Sequence, residues 1–272
     1  MSLDLSETNQ INETLKLIDN RRTIRAYDSR TISQGDINTI IHGAMRAPTA
    51  GNMMFYSIVQ VNDQKKKDKL AIICDNQPHI AKAPLVLIFL ADMQRWWDYF
   101  KICKTKELCK EIGEDFETPQ EADLLLASCD ALIAAQNAVI TAEALGIGSC
   151  YIADIMENIE ILREMFDLTP WVFPIAMLCF GYPKGDKNNI PLTSRFSQRY
   201  IHFMDNYYRL TEQDFSEMFQ HVKRKFDVKQ ARNLGQKFYL AKLGADYSKE
   251  MRRSVKVAIK DWISKNDGGK KK

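Results

Sequence analysis

Three guanidinium groups stand within five residues at Arg21, Arg22 and Arg25, with Thr23 among them. Cations this crowded repel one another unless an anion joins them, and the planar fork of arginine matches a phosphate. The same cluster also reads as a surface salt-bridge patch, and the residues alone leave both open. Ala47-Pro48-Thr49-Ala50-Gly51-Asn52 is a run of small residues with one hydroxyl and one amide. It is either a loop that brings its backbone and Asn52 against a flat polar ligand or an ordinary helix-to-strand connection. Gly146-Ile147-Gly148-Ser149-Cys150-Tyr151 has the first two glycines of a dinucleotide fingerprint. Tyr151 fills the third glycine position and the segment follows a helical pattern, which argues against a Rossmann turn.

Other chemistries are excluded by what is missing. No G-x-x-x-x-G-K-[ST], G-x-S-x-G or H-E-x-x-H occurs, which removes P-loop phosphoryl transfer, α/β-hydrolase chemistry and zincin proteolysis. The histidines at 42, 79, 202 and 221 are scattered. The six cysteines, at 74, 103, 109, 129, 150 and 179, form no C-x-x-C and no paired Cys/His spacing, so they read as reduced and mostly packed thiols. Cys150 has no sequence neighbour that clearly activates it as a nucleophile.

These residues need elements to position them. Ile11, Leu15 and Ile18 give Gln10 to Asn20 a short amphipathic helix that delivers the arginine cluster. Ser33 with Asp36 three residues on is a capping-box-like start, and Ile37, Ile40, Ile41, Ala44 and Met45 form one helical face that stops before Pro48. Phe55 to Val61 reads as a strand, Asp63 to Cys74 as a helix, and Leu85 to Leu90 and Phe173 to Phe180 as strands buried on both faces. Asp92 to Phe116 reads as a helical insertion and Asn158 to Phe166 as a short helix. Glu121 to Leu145 is apolar nearly all round, so it must lie in a core or in an oligomer interface. The apolar run Ala83 to Ala91 is about half of the ~20 residues a membrane helix needs, so no span is expected. The acidic amino terminus lacks the apolar stretch of a secretory signal, and a cytoplasmic address follows. Strands separated by helices imply a layered α/β or α+β domain.

The chain has 272 residues and a formal charge of +3. That near-neutral sum conceals an uneven distribution: residues 223–272 carry 16 Lys and Arg against 5 Asp and Glu. Two readings of this tail stand side by side: docking to nucleic acid, an acidic partner or a dinucleotide phosphate, and a solvated face on helices over Thr211–Phe226, Lys229–Leu243 and Lys249–Ser264.

Taken in order, the segments resemble the FMN-dependent nitroreductase family. The resemblance runs from about Leu15 to Arg195. It rests on Arg21-Arg22-Thr23-Ile24-Arg25, Ala47-Pro48-Thr49-Ala50-Gly51-Asn52, Gln77-Pro78-His79-Ile80-Ala81-Lys82-Ala83-Pro84, Gly146 to Ile152, and Phe180-Gly181-Tyr182-Pro183 with Arg195 beyond. It implies an α+β fold with a central, mostly antiparallel sheet flanked by helices, in an intertwined homodimer with FMN at the subunit interface. Residues 1–204 would form the FMN-binding domain and 205–272 a basic helical extension. By the same resemblance Arg21, Arg22, Arg25 and Arg195 hold the FMN phosphate, and Thr23 and Gln77 bond its ribityl or ring atoms. Pro48, Thr49, Ala50 and Asn52 come from the opposite subunit, and Tyr151, Ile152, Ala153 and Asp154 lie beside the reactive edge. NAD(P)H then supplies hydride and a nitroaromatic, quinone or flavin accepts it in a ping-pong cycle, with no side-chain catalyst, no metal and no membrane partner. A dehalogenase-type flavin reaction, or an FMN- or nucleic-acid-binding protein, is the alternative. Three positions depart from the family pattern: Met53-Met54-Phe55-Tyr56 replaces Gln-Pro-Trp, Thr193 replaces a Lys, and Ala153-Asp154 replaces glycines. A carboxylate at Asp154 near the reducible ring would disfavour negative charge there and lower the potential.

Overall fold

A computed structural model describes residues 12–220, 222 and 228–264, and these fall into two compact units. Of the described residues, the smaller takes those within 12–22 and 188–245, and the larger those within 23–187 and 246–264. This division differs from a cut after residue 204, because residues 246–264 group with the larger unit.

In the smaller unit α1 (Glu13–Asn20) starts where Asn12 accepts a hydrogen bond from the Leu15 amide. In the larger unit α2 (Gln34–Met45) opens on the expected Ser33–Asp36 exchange, with the Asp36 amide 3.0 Å from Ser33 Oγ. Next come β1 (Tyr56–Gln60), α3 (Gln64–Ile73), α4 (Pro78–Ala81) and β2 (Leu85–Asp92), followed by α5 (Gln94–Ile102) and α6 (Thr105–Ile112) in the expected helical insertion. α7 (Glu121–Ala144), β3 (Gly148–Ile152), α8 (Ile159–Phe166) and β4 (Val172–Gly181) complete the core. The smaller unit resumes with α9 (Glu212–Phe219) and α10 (Leu234–Phe238), and α11 (Asp246–Ile263) returns to the larger one. Of the three tail helices read from sequence, the first ends at Phe219, and His221 and residues 223–227 lie outside the described residues. The second is a single α-turn running into a π-turn at Tyr239–Leu243.

The four strands form one antiparallel sheet in the order β1-β2-β4-β3. All eight residues of β2 are buried, as expected of a central strand covered on both faces. β3 is an element the sequence reading missed. It is only five residues long and begins Gly-Ser, so neither length nor alternation marks it. Gly148 is there because the chain comes too close for a side chain: a Cβ would sit 2.3 Å from Ile24 Cγ1. That approach lets Thr23 bridge Ser149 and the Ile24 amide donate to the Ser149 carbonyl at 2.9 Å.

α7 sets one face of its apolar sequence in the core and leaves another exposed. Ala127, Ala131, Ala134, Ala135, Ala138 and Ala142 are buried in the core, while Leu125, Leu126, Leu132 and Ile133 are 40–67% exposed. By length and composition this helix could also cross a membrane, which corrects the expectation that no segment is long and apolar enough. It is missed by an unbroken-run criterion because Asp123, Asp130 and Glu143 interrupt the apolar sequence. α11 is anchored by Trp262, buried with its indole N–H donating 2.9 Å to the Gln120 carbonyl and its own carbonyl accepting from Trp171. The disposition of thiols is half as expected: Cys74, Cys150 and Cys179 are buried, whereas Cys103 and Cys129 are exposed and Cys109 is intermediate.

Candidate active site

The Ala47–Asn52 loop is held from below by one carboxylate. Asp130, on the inner face of α7 and 2% exposed, accepts from the Thr49 hydroxyl, from the Ala50 amide at 3.0 Å and from the Phe55 amide at 3.1 Å. Thr49 Oγ also accepts from the Met54 amide at 2.9 Å, so the hydroxyl read as a ligand contact is committed to the loop itself. Gly51, Asn52 and Met54 have φ of +57°, +58° and +51°, a conformation easy for glycine, tolerable for asparagine and costly for methionine. The result is an exposed turn presenting Pro48, Gly51 and Asn52 outward. Asp130 was not singled out from sequence, although a lone carboxylate on an alanine-rich helical face is a signal, since a buried charge must find donors.

Across the sheet, a second group forms around Gln77. Its amide nitrogen donates to Asp154 Oδ2 at 2.6 Å and to the Cys74 carbonyl at 3.0 Å, joining the turn before α4 to the end of β3. Tyr151 is partly exposed with its hydroxyl 3.4 Å from Gln136, Ile152 is buried, and Ala153 is exposed. Among the described residues no hydrogen bond joins the 48–52 loop to Gln77 or Asp154. Asp154 thus turns toward Gln77, and a single 3₁₀ turn, closed by the Glu157 amide to the Asp154 carbonyl at 3.1 Å, sets Glu157 beside it. Glu157 is 5% exposed. Burial first, then the facing carboxylates of Asp154, Asp75 and Glu250, push its carboxyl up to about 8.

A cavity of about 410 Å³ is lined by Pro78 and His79, which follow Gln77 in the chain, and by Arg25, Ala26, Tyr27, Lys82 and Lys184. Its donors are three cations and an imidazole, and His79 Nε2 is buried without a hydrogen-bond partner. Burial and the nearby Arg25 charge hold the His79 imidazole below its ordinary range. An anion or the carbonyl edge of a heterocycle fits such a donor set. His79, Lys82 and Lys184 were not chosen as site residues from sequence; His79 and Lys82 lie within the Gln77 stretch that carried the resemblance. The other arginines read from sequence as site residues, Arg21, Arg22 and Arg195, belong to the smaller unit. There Arg22 donates to the Ile190 and Asn20 carbonyls at 2.6 and 2.7 Å, and Arg195 to the Thr193 and Ser194 carbonyls at 2.9 and 3.3 Å. Cys150, 1% exposed, has the packing of a core thiol.

The nitroreductase family model matches residues 18–182. An FMN reductase (NADPH) of Bacillus subtilis (strain 168) is 30% identical over 210 residues, covering 75% of this chain and 78% of that protein. An FMN reductase [NAD(P)H] of the same organism is 27% identical over 252 residues, covering 89% and 96%. The solved structure of NfrA2 from B. megaterium superposes with a TM-score of 0.71 at 29% identity, over 91% of this chain and 98% of that one. With its antiparallel sheet, flanking helices and cationic cavity, the chain belongs to the nitroreductase family. More particularly it is an FMN-dependent oxidoreductase that draws hydride from NAD(P)H.

Proposed function

We propose that FMN binds along the Arg25 cavity and the Gln77–Asp154 edge, and that nitroaromatics, quinones or free flavin are reduced there. The observation that carries this placement is the orphaned His79 Nε2 in a cavity whose charged groups, Arg25, Lys82 and Lys184, are all cationic. FMN supplies the two-electron chemistry when bound. The chain's own part is positional: the cations neutralise a phosphate or a ring carbonyl edge, and Gln77 is oriented by the Cys74 carbonyl and Asp154. Arg21, Arg22 and Arg195 remain proposed phosphate ligands, as Thr23, Tyr151, Ile152 and Ala153 remain proposed neighbours of the ribityl chain and ring.

The test is the visible spectrum of the purified protein with and without NADPH under anaerobic conditions. A yellow chromophore, released as FMN and bleached by NADPH, is expected. Arg25→Ala should raise the Kd for FMN by about tenfold or more, a loss of one charge-assisted hydrogen-bond partner. Retention of FMN with unchanged affinity in that variant would remove Arg25 from the site.

The protein is further proposed to be a cytoplasmic homodimer in which Pro48, Thr49, Ala50 and Asn52 face the partner's flavin. The exposed Leu125, Leu126, Leu132 and Ile133 stripe on α7 supports this, because so apolar a strip on a helix wants a cover. Leu132→Glu with Ile133→Glu should shift sedimentation from dimer to monomer and release FMN. A double variant that remains dimeric would place the interface elsewhere.

A further inference from the structure

The reaction ascribed to this chain uses no side-chain acid, yet a quinone needs a proton as well as a hydride to become a hydroquinone. One buried group is built to supply it. Glu157 lies under the end of β3 with Oε1 buried and without a partner, and its carboxyl is hydrogen-bonded to that of Asp154. The charged groups facing it come from three elements. Asp154 shares its 3₁₀ turn, Asp75 follows α3 beside the Cys74 thiol, and Glu250 comes from α11, its own charge answered by Arg253 at 2.7 Å. No cation among them touches Glu157 in the described structure, so a proton is what relieves the crowding. Asp154 is half-buried where Glu157 is buried, and one of its oxygens is fixed by Gln77.

We propose that Glu157 stores a proton that Asp154 delivers to a quinone bound at the Gln77–Asp154 edge. The inference rests on the functional reading above. The balance is simple: the quinone gains a hydride originating in NADPH, which brings one hydrogen and two electrons, and one proton from the Asp154–Glu157 pair; together these turn its two carbonyls into two hydroxyls, and Glu157 regains its proton from water. Glu157 acts through Asp154 and is a positioning residue for that proton.

The experiment uses the FMN-loaded protein, wild type and Glu157→Gln, with 1,4-benzoquinone and with ferricyanide from pH 6 to 9. Ferricyanide takes electrons without a proton. The wild-type kcat for quinone should fall as pH rises through about 8, while Glu157→Gln should lose that limb and run about tenfold slower at neutral pH, with ferricyanide reduction unchanged. Asp154→Asn, at the proposed flavin edge, should lower quinone turnover by a larger factor than ferricyanide reduction. A readout independent of turnover is infrared: a protonated-carboxyl C=O band present at pH 7 in the wild type and absent in Glu157→Gln. A missing wild-type band, or one that survives in Glu157→Gln, overturns the proposal. A quinone profile identical in wild type and variant overturns the delivery step even where the band behaves as expected. A protein that takes up no FMN overturns the functional reading and the delivery step with it, a failure distinct from an FMN-loaded, bleachable protein with unaltered profiles.

Discussion

Asp130→Ala should cost this protein about 3 to 5 kcal/mol, because one substitution strips the acceptor from the Thr49 hydroxyl and from the Ala50 and Phe55 amides. Asp130 is 2% exposed, so water does not replace it without opening the contact between α7 and the loop. Thr49→Ala removes one donor to Asp130 and the acceptor of the Met54 amide, and should cost about 1 to 2 kcal/mol. Asp130→Asn should fall between the two, since its carbonyl still accepts while its NH₂ faces donors. Urea unfolding of the three variants checks the ranking. Equal, sub-kilocalorie losses would show that the loop holds its left-handed turn without α7. The effect reaches the site, because this carboxylate is what gives Pro48 and Asn52 a fixed outward position.

The parts of this structure that were legible share a feature: their sequence pattern is local. Ser33 and Asp36 exchange hydrogen bonds across three residues, and β2 is buried throughout because six unbroken apolar residues have nowhere else to go. β3 was illegible because its strand character comes from a neighbour. Gly148 and Ser149 have weak strand preference, and pairing with β4 on one side and bridging Thr23 on the other impose it. The grouping of the tail follows the same logic. Charge composition groups the last fifty residues together, whereas Trp262 and Ala258 bury themselves with Trp171 and Phe173 and carry α11 into the larger unit. Motif order singled out Gln77 and Asp154 but could not reveal that they bond each other, a contact across 77 residues of chain. Nor could it reveal that Thr49 spends its hydroxyl on Asp130.

Glu157 offers the second large effect, and its sign follows from where the proton sits. In the unfolded chain this carboxyl titrates at its ordinary value of 4.5, and the fold pushes it up to about 8. Below pH 4.5 both states are protonated and the group is neutral in its effect. Between 4.5 and about 8 the native state binds the additional proton, so stability falls as pH rises, by up to about 1.4 kcal/mol per pH unit. Above about 8 the loss is complete and constant. Glutamine cannot titrate, so Glu157→Gln should match the wild type in acid and exceed it by about 3 to 5 kcal/mol at pH 9. Thermal unfolding at pH 4, 7 and 9 separates this from a packing effect, which would shift all three alike. Parallel curves would mean that Glu157 is ionised in the fold and balanced by water, and the crowding of Asp154, Asp75 and Glu250 would then have been relieved without a proton. A gain that grows with pH would show that the fold tolerates a destabilised carboxyl where glutamine would serve stability better, as expected of a group kept for its proton.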